Sequence, residues 1–175
     1  MLLASYLNVP LVRVNLVQDA NGAFTDANGS SRGISSPEDR ELLLELRALA
    51  DVVVTDGETA RLEKYKVPQV CDLAVITRAG YSPAPSDSKN TYIEFNLNLD
   101  ATLKELETLG YKRILLEVGP SLLKGSWHTV NQLCLTTTGY GSPDLAPLSI
   151  EASLVSHNKS GQSTFTVWSQ IREVF

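Results

Sequence analysis

Two short segments place an acid, a glycine and a hydroxyl in one turn directly after a run of aliphatic residues. The first is Thr55-Asp56-Gly57-Glu58-Thr59, with Arg61 and Glu63 beyond it; the second is Glu117-Val118-Gly119-Pro120-Ser121. In an open parallel sheet, ligands gather beyond the carboxyl ends of the strands. A glycine there lets backbone approach a ligand, and a hydroxyl can bind phosphate oxygens. The chemistry such turns support is the binding of a small, phosphate-bearing molecule. Taken singly, each turn also looks like an ordinary strand-to-helix connection, where glycine and serine are common.

Other arrangements are missing. His128 and His157 lack the spacing of a metal pair and have no cysteine or carboxylate beside them in sequence, so both read as surface or interface residues and no metal is expected. There is no Gly-x-Ser-x-Gly elbow, Walker phosphate loop or Gly-x-Gly-x-x-Gly fingerprint, which removes the commonest hydrolase, nucleotidase and standard dinucleotide readings. Trp127 and Trp168 read as core or dimer-interface anchors.

The two turns matter only if strands deliver them to one edge of a sheet. Val52-Val53-Val54-Thr55 and Ile114-Leu115-Leu116-Glu117-Val118 are continuous apolar runs that predict strands covered on both faces, and Leu73-Ala74-Val75-Ile76-Thr77 predicts a third. Leu11 to Val17 alternates instead, which predicts a half-covered strand leading to a turn at Asn21-Gly22. Ser36-Pro37-Glu38-Asp39 has the grammar of a helix start, with Leu42, Leu43, Leu46 and Leu49 at helical spacing up to Ala50, and Asp51 ending it. Asp100 is expected to cap a helix carrying Leu103, Leu106 and Leu109 and stopped by Gly110, and Gly119-Pro120-Ser121 to open another. The polar stretch from Thr25 to Ser36 and the proline- and serine-rich stretch from Tyr81 to Asn90 predict loops.

Alternating strands and helices imply an α/β fold with a mainly parallel sheet covered on both faces. The tail departs from this: Gln132 to Thr138 is a strand, and Ala152 to Ser156 with Thr164 to Trp168 flank Asn158-Lys159-Ser160-Gly161 as an antiparallel hairpin. With no linker or repeat, one domain over residues 1–175 is expected.

Composition narrows the function classes. The 175 residues carry 15 Lys and Arg against 20 Asp and Glu, a net charge of −5, which argues against a duplex-wide phosphate footprint and so against nucleic acid as partner. No apolar run reaches membrane-spanning length, and Met1 to Asn8 lacks the basic start and cleavage site of a secretory leader. Cys71 and Cys134 are too few and too far apart for a disulfide framework. A cytoplasmic protein acting on a small molecule is expected.

Taken together, the order and spacing resemble the reductase domain of the riboflavin-biosynthesis deaminase/reductase family. The residues that carry the resemblance are the turn at Asn21-Gly22, the loop Asn28-Gly29-Ser30-Ser31-Arg32-Gly33-Ile34-Ser35-Ser36-Pro37, the block from Ser36 to Tyr65, and Glu117-Val118-Gly119-Pro120-Ser121-Leu122-Leu123. The resemblance implies a dihydrofolate-reductase-like three-layer sandwich, a homodimer, and metal-free hydride transfer from NADPH to a ribosylaminopyrimidine-like or other small imine or carbonyl substrate. By position, Thr59 and Glu63 match cofactor contacts, and Gly119, Pro120, Ser121 and Leu122 match the cradle for the cofactor's phosphates. Ser31 and Arg47 fall where the family holds substrate, and Glu117 matches the catalytic acid that faces it.

Departures from the family pattern support a second reading, a degenerate reductase-fold binding or assembly protein without cofactor. Asp56 and Glu58 place carboxylates in the Gly-x-Gly-Thr segment, Val118 replaces a glycine, and the chain is short between Tyr65 and Leu73. The paired His-x-Glu and Pro-Cys-x-x-Cys motifs of the zinc deaminase are missing from these 175 residues.

Overall fold

A computed structural model describes residues 11–175; the expectation about a leader concerns residues 1–10 and lies outside them. The elements run β1 (Leu11–Gln18), α1 (Pro37–Leu49), β2 (Val52–Asp56), α2 (Gly57–Glu63), β3 (Asp72–Ile76), β4 (Tyr92–Phe95), α3 (Leu99–Thr108), β5 (Arg113–Leu116), α4 (Pro120–Leu123), β6 (Gln132–Thr137), β7 (Ile150–Ser160) and β8 (Ser163–Glu173). They build one 8-stranded sheet in the order β4-β3-β2-β5-β1-β6-β8-β7. Neighbours from β4 through β6 pair in parallel, and β8 is antiparallel to both β6 and β7.

The parallel strands are apolar because both faces are covered. On one face Val14, Leu16, Val52, Val54 and Leu116 pack with Trp127 and with Leu99, Leu103 and Leu106 of α3. On the other, Val53, Leu73, Val75, Leu115 and Cys134 meet Leu46 of α1 and Ala60 of α2. Trp127 is a core residue, 1% exposed, and half-buried Trp168 packs against the same layer. Both cysteines are free and buried, and burial pushes each thiol up to about 11.

Helix α1 starts as its residues dictate: Ser36 accepts the Asp39 N–H, Pro37 occupies the first turn, and Glu38 and Asp39 lie at the positive end. Asp51 then ties the start of β2 to β5, accepting from the Arg113 side chain at 3.0 and 2.6 Å and from its backbone at 2.9 Å.

Three expectations need correction. β1 is not half-covered: it sits between β5 and β6, so even Arg13 is buried and donates to Gln132 at 2.9 Å. Helix α3 is capped by Asn98, which accepts from Ala101 N, because the helix begins at Leu99 and leaves Asp100 within its first turn. The expected helix after Gly119 does form, as one turn of 4 residues. The hairpin runs longer, so Asn158 to Ser160 belong to β7 and the reversal falls between the paired Ser160 and Ser163. Strand β4 has no counterpart in the sequence reading; its four residues, Tyr-Ile-Glu-Phe, are too short to show a period.

Candidate functional site

Strands β1, β2 and β5 end beneath the loop that precedes α1, and there the chain encloses a cleft of about 770 Å³. That is the range of small-molecule and cofactor sites. Its lining includes Ser31 and Arg47, Thr59 and Glu63, and Glu117, Gly119 and Pro120. Seven residues singled out in sequence thus share one cavity. The other two do not line it: Ser121 is exposed, and Leu122 packs against the core.

At the floor, Glu117 leaves β5 with its backbone N–H on Val54 O at 2.8 Å and its carbonyl accepting from the Thr55 hydroxyl at 2.8 Å. Its side chain is 5% exposed and fully engaged. Arg47 Nε donates to Oε1 at 2.8 Å and Nη2 to Oε2 at 2.7 Å, the two-pronged geometry that suits a guanidinium to a carboxylate. The Tyr65 hydroxyl donates to Oε2, and the Arg47 guanidinium stands 5.3 Å from the centre of the Tyr65 ring.

Burial alone would lower the guanidinium's pKa, but the hydrogen bonds and charge of Glu117 reverse this and hold it above its ordinary value, so Arg47 stays charged. Burial and then the Glu117 charge push the Tyr65 phenol well above its usual range, so it stays protonated. A hydrogen-bond chain runs outward from here. Tyr81 OH donates to Tyr65 O at 2.6 Å, and Tyr92 OH donates to Tyr81 O at 2.8 Å and to Glu94 at 2.9 Å.

The β2–α2 turn spends its polar groups on itself. Asp56 caps α2, accepting from Thr59 N and from the Thr59 hydroxyl, both at 2.8 Å. A Cβ on Gly57 would come 2.5 Å from Thr77 Oγ1, so this glycine admits a neighbouring strand end rather than a ligand. Glu63, 7% exposed, accepts from Ser30 Oγ at 2.6 Å and Ser31 N at 3.2 Å, and pairs with Arg32 at 2.5 Å, thereby fixing the loop over the cleft. Asp56 and Glu58 are not among the residues lining the cavity.

The β5–α4 turn is open. A Cβ on Gly119 would meet nothing within 4 Å and no side chain caps the turn, while Val118, 3% exposed, packs in the core and borders the cavity.

Among the cleft residues that sequence reasoning did not single out are Tyr65, Asn15 and Asp39. Tyr65 closes the block that carried the family resemblance, but its type and spacing gave no sign that it reaches Glu117. Asp39 reads as a helix first-turn acid, which it also is. Among the described residues no His, Cys, Asp or Glu cluster could hold a metal, and no helix is long and apolar enough to cross a membrane.

Strand order, the open turn at the carboxyl edge and the antiparallel tail define a dihydrofolate-reductase-like α/β fold, in the form taken by pyrimidine reductase domains. No protein-family model matches the sequence, and no curated protein matches it. Solved structures do. A pyrimidine reductase-like protein from Corynebacterium diphtheriae superimposes with a TM-score of 0.72 at 19% identity, over 94% of this chain and 93% of that one. The diaminohydroxyphosphoribosylaminopyrimidine deaminase/5-amino-6-(5-phosphoribosylamino)uracil reductase of Thermotoga maritima gives 0.67 at 13%, over 92% of this chain and 56% of that one. Dihydrofolate reductase from Enterococcus faecalis, solved with NADP(H), gives 0.60 at 11%, over 91% and 96%.

Proposed function

We propose that the chain is an NADPH-dependent reductase that delivers hydride to a small imine or carbonyl substrate of the ribosylaminopyrimidine class. The observation that carries this reading is the cleft itself. It is large enough for a cofactor with a substrate fragment, it lies at the carboxyl edge of a parallel sheet, and it has an unobstructed glycine turn on one side and a half-buried guanidinium, held by Glu117, on the other.

Charge points the same way. The chain carries −5 overall, yet Arg32, Arg40, Arg47, Lys64 and Lys66 line the cleft against Asp39, Glu63 and Glu117. A locally cationic cavity in an acidic chain suits phosphate-bearing ligands.

The residues present fit the cofactor. Gly119 and Pro120 would cradle it, with Thr59 at the facing turn; when bound, it supplies the hydride. Glu63 serves by holding Ser30, Ser31 and Arg32 over the site, and Ser31 and Arg47 would hold the substrate. Both oxygens of Glu117 are taken by Arg47 and Tyr65, so in this reading it aims Arg47, whose side chain is 21% exposed, toward the ligand. Catalysis here is mainly positioning and the exclusion of water. The homodimer belongs to the same proposal: β7 is the longer of the two edge strands among the described residues, β4 being the other, and it leaves Leu154 and Val155 exposed.

The self-contained β2–α2 turn favours the second reading, a reductase-fold binding protein without cofactor, because Thr59 and Glu63 already have partners. Titration with NADPH and NADH, followed by nicotinamide fluorescence, decides between them. Saturable NADPH binding is expected, and its absence at millimolar cofactor overturns the reductase reading in favour of the binding protein.

A further inference from the structure

The proline- and serine-rich loop from Tyr81 to Asn90 is held against one wall of the cleft by its own side chains. Tyr65, Lys66, Val67, Pro68 and Gln69 form that wall. Tyr81 OH donates to Tyr65 O at 2.6 Å, Ser88 Oγ and Asn90 Nδ2 donate to Pro68 O at 2.6 and 2.9 Å, and Ser86 Oγ donates to Val67 O at 3.4 Å. Pro83 and Pro85, whose rings fix φ, stiffen the span between these donors. The loop is tied in turn to β4, because Glu94 accepts from Tyr81 N at 3.0 Å and Tyr92 OH donates to Tyr81 O at 2.8 Å.

The residue this strap fixes is Tyr65. Helix α2 ends at Lys64 in the left-handed region, φ 53°, and the chain folds back so that Tyr65 N donates to Ala60 O at 3.0 Å. A residue other than glycine is strained there, and such a turn persists where its surroundings dictate the backbone. The reversal brings Tyr65 to the floor of the cleft. Its hydroxyl donates to Glu117 Oε2, and its ring centre lies 5.3 Å from the Arg47 guanidinium.

Arg47 comes from α1, and Glu117 follows the end of β5. Their two parallel hydrogen bonds fix a shared plane, yet a pair joined along one line can still hinge between the two elements. Tyr65 brings a contact from a third segment to Oε2, the oxygen that Arg47 Nη2 also uses, and this contact stops the hinge. The pair takes up Nε–H and one N–H of Nη2; the rest of the guanidinium, on the lining of the cleft, is what a ligand meets. Its direction matters, since a displacement of about 1 Å near reacting atoms costs on the order of a hundredfold in rate.

We infer that Tyr65 is a positioning residue: through Glu117 it holds the Arg47 guanidinium in one orientation toward the ligand, and the loop from Tyr81 to Asn90 holds Tyr65. This rests on the proposed reductase reading in taking that ligand for the substrate. Tyr65 acts without touching the reacting atoms, because its hydroxyl is engaged by Glu117. The edge of the sheet at β4 thereby sets the orientation of a charge at the sheet's centre.

The test reads Arg47 directly, from the exchange of its Nε–H with water in the isotope-labelled full chain; comparison with Arg47→Lys assigns the signal. Tyr65→Phe keeps the ring against Arg47 and removes the hydroxyl. It is expected to speed Arg47 Nε–H exchange at least about tenfold, as loss of a hydrogen bond to a charged group implies. The backbone amides within β2 and β5 should keep their wild-type exchange. A ring that only fills space would leave Arg47 unchanged, and a general loosening would speed the amides as well. If Tyr65→Phe does not fold, Tyr81→Phe decides: it removes the strap's bond to Tyr65 O and should speed the Arg47 signal by about threefold.

Unchanged Arg47 exchange in folded Tyr65→Phe overturns the positioning role, as does an acceleration shared equally by the amides of β2 and β5. Where Tyr81→Phe decides, the same two outcomes overturn it. NADPH titration of the wild-type chain keeps the two proposals apart. NADPH binding with an unchanged Arg47 signal sinks the positioning role alone, and a faster Arg47 signal without NADPH binding sinks the reductase reading alone.

Discussion

The turns after β2 and β5 share a vocabulary of acid, glycine and hydroxyl at a strand end, and they use it in opposite ways. After β2, Asp56 binds Thr59 twice, Gly57 makes room for Thr77, and Glu63 reaches across to Ser30, Ser31 and Arg32. After β5, no side chain caps the turn and the space beside Gly119 is open. Residue types at a strand end therefore tell where a ligand could lie. Whether the polar groups remain available depends on their partners, from Thr59 three positions beyond Asp56 to Ser30, 33 positions before Glu63.

The comparison can be broken by substitution. The largest effect is expected from Glu117→Ala, which leaves the half-buried Arg47 guanidinium without its carboxylate and the Tyr65 phenol without its acceptor. It should cost about 3–5 kcal/mol in urea unfolding and abolish ligand binding. Gly57→Ala comes next, at about 1–3 kcal/mol, because the new Cβ meets the Thr77 side chain. Asp56→Ala should cost about 1 kcal/mol through loss of the α2 cap, read as a drop in melting temperature. Gly119→Ala should change stability by less than about 0.5 kcal/mol, since its φ of −70° suits any residue and nothing stands in the way. It should nonetheless weaken NADPH binding. A large stability loss there would show that the open turn is structural, like its counterpart.

Much of this contrast was beyond the reach of sequence. The buried strands, the start of α1 and the carboxyl-edge turns were legible because each depends on neighbours within a few residues. The central place of β1 was not: Arg13 and Asn15 give it an alternating pattern, and only the partners Gln132 and Cys134 across β6 show that both are enclosed. Likewise Glu117 could be singled out by its position, but its engagement by Arg47 and Tyr65 joins residues separated by 70 and 52 positions. Asp39 shows the same limit from the other side. Its role as a helix first-turn acid is local and visible, while its burial at the cleft is visible only in the fold.

The placement of β1 also governs how the site comes into being. Within this chain β1 is made well before its neighbours β5 and β6, which begin at Arg113 and Gln132. Its register with β6 closes a loop of 119 residues, an entropic cost incurred before any contact repays it. Until then an apolar strand waits unpaired. The cleft, whose lining is drawn from Asn15 to Pro120, cannot exist in any early fragment, and folding is expected to be slow and sensitive to crowding by like chains.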